Sequence, residues 1–122
     1  MIEAALLCLA LNLYHEARGE PLEGQFAVAM VTLNRAGRDP AKVCDVVAAP
    51  YQFSWTLKPS DIKDEAAYRH AQAVARLSFL LTDFTGGATH YHTLAIKPHW
   101  ISSVRVTGQW GNHIFYTRKG PK

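Results

Sequence analysis

The chain has 122 residues, a formal net charge of +3 and 48% apolar residues. That composition provides one modest hydrophobic core and argues against disorder. No apolar run is long enough to span a bilayer, so membrane insertion is not expected. Lys and Arg are spread along the chain rather than clustered, which gives no indication of nucleic-acid binding, although a mild positive charge suits an anionic polymer.

The N-terminal segment and the two cysteines give two further predictions. A secretory signal needs a basic start and a small-residue cleavage site. Here Glu3 is acidic, and the bulky Leu7 before Cys8 is unlike a lipoprotein cleavage site, so no export signal is predicted. Cys8 and Cys44 lie among apolar neighbours and are too few for a disulfide scaffold, so we expect buried free thiols.

Two helices are predicted at the start of the chain. Ala and Leu dominate from about Ile2 to Glu16, and no Gly or Pro intervenes before Gly19. A second helix should begin near Pro21, because proline suits a first helical turn, and should end at about Arg35.

The middle of the chain is mixed before another helical pattern begins. The stretch Asp39–Pro59 holds a short apolar piece, Val43–Ala49, and then a loop of aromatic and polar residues. A further helix is predicted over about Asp64–Leu81, because apolar residues recur there at helical spacing and Gly86-Gly87 follows.

Strand signals are confined to the last third. Ala88–Thr93 is rich in Thr, His and Tyr, Val104–Thr107 alternates apolar and polar residues, and Gly108–Gly111 is a candidate turn before a return strand over His113–Thr117. We expect a small antiparallel sheet beside the helices. The predicted class is α+β, mostly helical, and residues 1–122 should form a single domain because no linker or repeat appears.

Two glutamates stand where the first helix should end. Partial burial would raise the pKa of the Glu16 carboxyl, and such a glutamic acid donates a proton to a leaving glycosidic oxygen. Most glutamates near helix ends are instead solvated or capping. Glu20 follows by four residues, but Pro21 disfavours a helical conformation at Glu20, which argues against a stacked carboxylate pair and favours a structural role for Glu20.

His90 and His92 face the same side if Thr89–His92 is a strand. That geometry holds zinc when a third ligand is available, although no HExxH or cysteine spacing accompanies the pair. Strands of this kind also bind sugars, which pack on aromatic faces beside amides and hydroxyls. Trp100 is the best surface candidate for such stacking, and both interpretations of the histidines stay open from the residues alone.

Several segments, taken together, resemble the SleB-like cell wall hydrolases, which include spore-cortex-lytic enzymes and relatives in phages and prophages. The matching segments, in the family's order, are Tyr14-His15-Glu16-Ala17-Arg18-Gly19-Glu20, Glu23-Gly24-Gln25, Val31-Thr32-Leu33-Asn34-Arg35, Gln52-Phe53-Ser54, Thr85-Gly86-Gly87-Ala88, Tyr91, Lys97, Trp100 and Gly111-Asn112-His113-Ile114-Phe115. Together they cover nearly the whole chain.

The resemblance implies a lysozyme-like, lytic-transglycosylase-type fold that cuts peptidoglycan strands between N-acetylmuramic acid (MurNAc) and N-acetylglucosamine (GlcNAc). It places the family's catalytic glutamate on Glu16. We expect Glu20, from the residues themselves, to be a supporting residue behind it. The residues predicted to bind substrate are Asn34, Gln52, Ser54, Thr89, Tyr91, His92, Trp100 and His113. We expect them around a groove between the helices and the sheet, with no cofactor and no metal. One departure is His92-Thr93, where many relatives carry an aromatic residue followed by Asn-Pro.

Glu16 has no convincing carboxylate partner, which favours a lytic transglycosylase with one acid/base over a paired-carboxylate glycosidase. Muramidase-type hydrolysis stays open. The rival enzyme is a zinc-dependent peptidase or amidase that acts on stem peptides through His90 and His92, and the non-enzyme alternative is a wall-binding module. A monomer acting on the bacterial wall is expected. Without an export signal it is similar to a phage or prophage endolysin that is made in the host cytoplasm and released by another factor, or to a trimmed domain.

Overall fold

A computed structural model describes residues 2–49 and 62–119, so the predicted residues Gln52 and Ser54 lie outside the described part. Within these ranges, helices come first and strands last. The elements are α1 (Ile2–Ala17), α2 (Leu22–Arg35), α3 (Pro40–Val47), α4 (Glu65–Ser78), β1 (His90–Thr93), a 3-10 helix (His99–Ser103), β2 (Val104–Trp110) and β3 (His113–Arg118). The predicted α+β class, mostly helical with a small antiparallel sheet, is confirmed.

Helix α1 is the centre of the helical layer and packs against α2, α3 and α4. Its residues from Cys8 to Tyr14 are all buried, including the polar Asn12. A helix that is apolar on every side must be covered on every side, and this explains why the Ala- and Leu-rich run at the start of the chain lies inside. Glu16 therefore lies in the last turn of a helix whose position is fixed by the surrounding core.

The helix ends follow local signals in the sequence. Gly19, at φ 91°, breaks the chain after α1, and Pro21 precedes the first residue of α2. The side chain of Asp39 accepts a hydrogen bond from the Ala41 amide and caps α3. Most of the short apolar piece predicted from the sequence therefore lies in a helix that begins at Pro40. The fourth helix ends at Ser78 rather than near Leu81.

The prediction of two free thiols is wrong, because Cys8 and Cys44 form a disulfide that links α1 to α3. Their Cα atoms are 5.2 Å apart, although 36 positions separate them in sequence. The two cysteines do lie among apolar neighbours, as predicted. Only the packing of α3 alongside α1 brings them together, and the sequence gives no indication of that contact.

The sheet has three antiparallel strands in the order β1-β3-β2, so β1 is an edge strand. β2 continues through Gly108 to Trp110, and the chain reverses at Gly111 and Asn112, later than the predicted turn. A register shift lies between Val106 and Gly108. One face of the sheet packs toward the helices, and β1 contributes residues to the cavity described below.

In the two described segments, every helix is too short or too polar to cross a membrane.

Candidate functional site

A cavity of about 450 Å³ lies between the helices and β1. Its described wall combines charged, polar and aromatic side chains from α1, α2, α3, β1 and the 3-10 helix. The residues that line it are Glu16, Val31, Thr32, Arg35, Val46, Thr89, His90, Tyr91, His99 and Trp100. Its size suits a sugar-sized group, and its polar and aromatic lining is typical of sites that bind carbohydrate.

Glu16 and Tyr91 meet in this wall. Burial raises the pKa of the Tyr91 phenol, and the neighbouring Glu16 carboxylate raises it further through its negative charge and a hydrogen bond. Tyr91 therefore stays protonated at every physiological pH and donates its hydroxyl hydrogen to the carboxylate. Among the described wall residues, Glu16 is the sole acidic side chain.

The position of Tyr91 is fixed by the sheet behind it. Tyr91 is opposite Phe115 in the β1–β3 register, and the two rings stack with their centroids 5.6 Å apart. The His113 ring meets Tyr91 edge-on at 5.0 Å. Because these neighbours are buried in the core, the phenol has little freedom to turn away from Glu16.

His90 and His92 lie on one face of β1, as the alternation of a strand predicts, and both rings contact Trp100. Their centroids lie 5.0 Å and 5.8 Å from the Trp100 ring. His90 Nδ1 is 2.9 Å from the Thr89 hydroxyl. His90 and Trp100 reach the cavity wall, whereas His92 stands beside them outside that wall and stacks on Tyr116.

The hydrogen bonds of His92 oppose a zinc site at this position. Nδ1 lies 2.7 Å from the Thr93 carbonyl oxygen, and because a carbonyl only accepts, Nδ1 carries the proton. Nε2 then accepts from the Tyr116 hydroxyl at 2.7 Å, so its lone pair is engaged. No group of three or more His, Cys, Asp or Glu side chains with metal-binding geometry occurs within residues 2–49 and 62–119.

Arg35 brings positive charge to the same cavity from the last turn of α2. Burial lowers the pKa of the His90 imidazole, and the charges of Arg35 and Arg118 lower it further. Burial also lowers the pKa of Arg35, and the positive charge of Arg118 lowers it further. His90 is thus held neutral beside two guanidinium groups.

A buried polar pair stands behind Glu16. Thr32, which lines the cavity, donates a hydrogen bond to Oδ1 of Asn12 at 3.2 Å. Asn12 is fully buried and precedes Glu16 by four residues, so it lies on the same face of α1, one turn earlier. The pair joins α1 to α2 directly beneath the carboxylate and so helps to fix where the end of α1 lies.

Asn34 is held by the framework and is not among the described residues that line the cavity. Its Nδ2 atom donates to the carbonyl oxygen of Ala88 at 2.9 Å and to Oδ2 of Asp83 at 3.3 Å. Both amide hydrogens are thus used to hold the segment that leads into β1. The helix position that faces the cavity is the next one, Arg35.

Glu20 joins the link between α1 and α2 to the turn between β2 and β3. Its Oε1 atom accepts from the Asn112 amide at 2.8 Å and lies 3.6 Å from Nδ1 of His113. Gly111, at φ 62°, is required there, because a Cβ atom would collide with the Glu20 carboxylate. Burial lowers the pKa of His113, against a raising effect of Glu20, so His113 supports Tyr91 as a neutral ring.

The structure thus brings four predicted site residues together in the wall, namely Glu16, Thr89, Tyr91 and Trp100. His92 and His113 contact wall residues from outside the wall, His92 against Trp100 and His113 against Tyr91, and Asn34 and Glu20 hold the framework. Residues in the wall to which the sequence assigned no role in substrate binding are Val31, Thr32, Arg35, Val46, His90 and His99. Thr32 and Arg35 are three positions apart on a predicted helix, so helical periodicity could have grouped them.

Comparison with known proteins identifies the family of the chain. Residues 19–116 match the Cell Wall Hydrolase family, and Glu16 lies just before the matched range. The spore cortex-lytic enzyme of Halalkalibacterium halodurans is 35% identical over an alignment of 114 residues, and the match covers 88% of this chain and 33% of the relative. The enzyme of the same name from Bacillus subtilis is 34% identical over an alignment of 115 residues, and that match covers 88% of this chain and 35% of the relative. The chain spans about a third of the length of these relatives.

Two solved structures share the fold. The catalytic domain of the germination-specific lytic transglycosylase SleB from Bacillus anthracis superposes with a TM-score of 0.72 at 29% identity, covering 93% of each chain. The catalytic domain of the Bacillus cereus SleB protein gives a TM-score of 0.71 at 27% identity, covering 94% of this chain and 91% of that one. The resemblance drawn from the short motifs is confirmed, and the chain belongs to the cell wall hydrolase family.

Proposed function

We propose that this protein cleaves the MurNAc–GlcNAc bond of peptidoglycan as a lytic transglycosylase, with Glu16 as its single acid and base. The observation that carries the proposal is the carboxylate of Glu16 in the cavity wall, held by the Tyr91 hydroxyl, with no second acid in the described wall. Paired-carboxylate glycosidases need a second acid that faces the first. The structural relative from Bacillus anthracis is a germination-specific lytic transglycosylase, which supports the same reaction here.

The reaction needs one proton, which Glu16 gives and recovers. The Glu16 carboxylic acid protonates the glycosidic oxygen as the bond to C1 of MurNAc breaks. The acetamido group of the same sugar supports the cationic centre at C1. The Glu16 carboxylate then removes the proton from the muramic 6-hydroxyl as O6 bonds to C1, which closes a 1,6-anhydro ring and restores the acid. No cofactor is required.

The residues around Glu16 take matching roles in this proposal. Tyr91 orients the carboxylate through its hydrogen bond and stabilises the charged form after proton transfer. Trp100 and the His90 ring offer the aromatic surface on which a sugar ring packs, and Thr89 offers a hydroxyl beside it. Gln52 and Ser54 stay predicted substrate contacts on the basis of the family motif alone.

The place and unit of action follow from the same reasoning. The helices and the sheet both contribute side chains to the described cavity wall, which supports residues 1–122 as a single catalytic domain, and we propose that it works as a monomer. The bacterial cell wall is the proposed site of action, because the curated relatives carry the name spore cortex-lytic enzyme.

The test is the change Glu16→Gln, which keeps the size of the side chain and removes the acid. Turnover of purified peptidoglycan should fall on the order of 10² to 10⁴ fold, because general acid catalysis is lost, while the melting temperature should change little. Glu20→Gln should be far milder, since Glu20 holds the β2–β3 turn. Glu23→Gln, at an exposed position in the first turn of α2, is the neutral control.

Mass analysis of the digest separates this reaction from its rivals. Anhydro-muramic ends support transglycosylation, whereas reducing ends would indicate muramidase-type hydrolysis with water in place of the 6-hydroxyl. Free stem peptides, with activity lost on chelation, would indicate the zinc peptidase or amidase. A folded Glu16→Gln variant that retains full turnover would remove Glu16 from the mechanism.

A further inference from the structure

We propose that Asn12 is a positioning residue for Glu16, and that its buried amide, held by Thr32, donates a hydrogen bond to the charged Glu16 carboxylate from the helical side of the cavity. The inference rests on the proposed function, because it concerns the residue that we place at the centre of the reaction. It goes further in that it gives the interior of α1 a part in the chemistry, although Asn12 is not among the described residues that line the cavity.

Asn12 and Thr32 form a polar pair inside an apolar layer. The Asn12 side chain is fully buried, and Thr32 is 4% exposed where it lines the cavity. The Thr32 hydroxyl donates to Oδ1 of Asn12 at 3.2 Å and so ties the carbonyl end of the amide to α2. Because Oδ1 and Nδ2 share one carbon atom, this bond also limits the directions in which Nδ2 can donate.

The amino end of the same side chain lacks a described acceptor. Within residues 2–49 and 62–119, Nδ2 of Asn12 is buried and has no hydrogen-bond partner. Buried donors in folded proteins are almost always paired with protein or with water, because an unpaired one loses the hydrogen bonds that it made to water in the unfolded chain. Asn12 therefore has amide hydrogens to offer to an acceptor beside the cavity.

Helix geometry places the Glu16 side chain over this amide. Asn12 and Glu16 are four residues apart on α1, so their Cβ atoms lie about 5–6 Å apart on one face. Side chains in a helix lean toward its N-terminus, which directs the Glu16 side chain over the turn that contains Asn12. Thr32 lines the same cavity as Glu16, so the pair reaches the space beside the carboxyl group. A small rotation of the Glu16 side chain or one bridging water closes the remaining distance.

The proposed hydrogen bond acts on the protonation of Glu16. A carboxylate accepts up to about four hydrogen bonds, so the bond from Tyr91 leaves room for another. A donor to the charged form favours that form over the neutral acid and so opposes the effect of burial. Tyr91 from the sheet and Asn12 from α1 then hold the carboxylate from two sides, and the loss of either donor makes Glu16 keep its proton to a higher pH.

The alkaline limb of the pH profile reports this effect. In the proposed reaction Glu16 must begin as the acid, so kcat/KM falls as the pH rises through its titration. The other titratable groups in the described wall are Arg35 from α2, His90 and Tyr91 from β1, and His99 from the 3-10 helix, while α3 and α4 contribute none to it. The variants below alter none of these groups.

The decisive variant replaces both members of the pair by apolar residues of similar shape. In Asn12→Leu/Thr32→Val neither partner of the removed hydrogen bond is left behind, so the domain is expected to fold. We expect its alkaline limb to move up by about 0.5 to 1 pH unit, with kcat at the optimum about three- to ten-fold lower and KM little changed. Thr32→Val alone releases the amide and should move the limb in the same direction.

Two controls separate positioning from packing. Thr32→Ser keeps the hydroxyl that holds Oδ1 of Asn12, so the limb should stay in place even if turnover falls. Ser78→Ala removes another buried hydroxyl, which donates to the Val74 carbonyl oxygen at 2.7 Å on α4 and does not line the described wall, and it should lower the melting temperature without moving the limb. A limb at the wild-type pH in both the double variant and Thr32→Val, or one that moves as far in Thr32→Ser as in Thr32→Val, would overturn the role of Asn12.

A titration of Glu16 itself tests the inference without the reaction. Carboxyl-carbon NMR of glutamate-labelled protein follows each glutamate through its titration, and the Glu16 signal is the one that disappears in Glu16→Gln. Its midpoint should rise by about 0.5 to 1 pH unit in the double variant, while the midpoint of the exposed Glu23 stays unchanged. If the wild type cuts no glycan, the proposed function fails, but this rise still supports the hydrogen bond. An unchanged Glu16 midpoint overturns the inference whether or not the glycan is cut.

Discussion

Tyr91 holds the Glu16 carboxylate from the sheet side of the cavity through a hydrogen bond. The Tyr91 ring is packed between Phe115 and His113, so the hydroxyl is positioned by the core rather than by solvent. A hydrogen bond from a neutral donor stabilises the charged carboxylate, which is the form that Glu16 takes midway through the proposed reaction. The proposed role of Tyr91 therefore depends on its hydroxyl hydrogen.

Tyr91→Phe removes that hydrogen atom and keeps the ring. We expect kcat to fall about ten- to a hundred-fold through the loss of one hydrogen bond to a charged group, with a change of only about 1 kcal/mol in the free energy of unfolding. Tyr68→Phe on α4, which is not among the described residues of the cavity wall, is the control and should leave kcat unchanged. An unchanged kcat in a folded Tyr91→Phe variant would reduce Tyr91 to a packing residue.

At the scale of elements, Asp83 attaches the segment before β1 to the end of α2. Oδ1 accepts hydrogen bonds from the amide and the hydroxyl of Thr85, and Oδ2 accepts from the Gly87 amide and from Asn34. Burial alone would raise the pKa of Asp83, but these hydrogen bonds outweigh it and lower the pKa below 3.8. The start of β1, where Thr89 and His90 enter the cavity wall, depends on this anchor.

Asp83→Ala should destabilise the domain by about 1–3 kcal/mol, because four donors, two of them on the buried Thr85, lose their acceptor. Since the folded-state pKa is depressed, the contribution of the ionised group is full above the unfolded value of 3.8 and is lost as the pH falls through the folded value. The difference between wild type and variant in urea denaturation should therefore shrink at the lowest pH values. Asp45→Ala at an exposed position on α3 is the control. A difference that is independent of pH would contradict the anchoring role of the charge.

The sequence located the elements better than it located their contacts. Apolar periodicity and the Gly and Pro signals predicted α2 almost to the residue and placed all three strands, because such signals are local. The motif that marked Asn34 as a substrate contact lies on the turn of α2 that reaches the cavity. The motif does not show which of Asn34 and Arg35 faces the cavity, and in the structure it is Arg35. That choice depends on the packing angle of α2 against β1, which is set by residues far away in sequence.

At the scale of the whole molecule, the helical layer and the sheet are joined by long-range contacts that local sequence patterns do not predict. Glu20 was predicted to be structural, yet nothing in its neighbourhood indicates the Asn112 amide, which is 92 positions away. Cys8 and Cys44 likewise give no sign of pairing when they are examined one at a time. In both cases the tertiary fold brings the two partners together, so local sequence patterns do not predict the contact.

The disulfide should matter for stability more than for chemistry. It closes a loop across 36 positions between α1 and α3, and a loop of that length predicts a stabilisation on the order of 3–4 kcal/mol, chiefly by restricting the unfolded chain. The double change of Cys8→Ser and Cys44→Ser, or a reductant, should lower the melting temperature by several degrees. Turnover measured well below that temperature should stay close to that of the wild type, because neither cysteine lines the described cavity wall. The serine variant, which has no disulfide to lose, is the control for the reductant, which should not change its melting temperature. A wild-type melting temperature that is the same with and without reductant would show that the Cys8–Cys44 bond contributes nothing to holding α3 against α1.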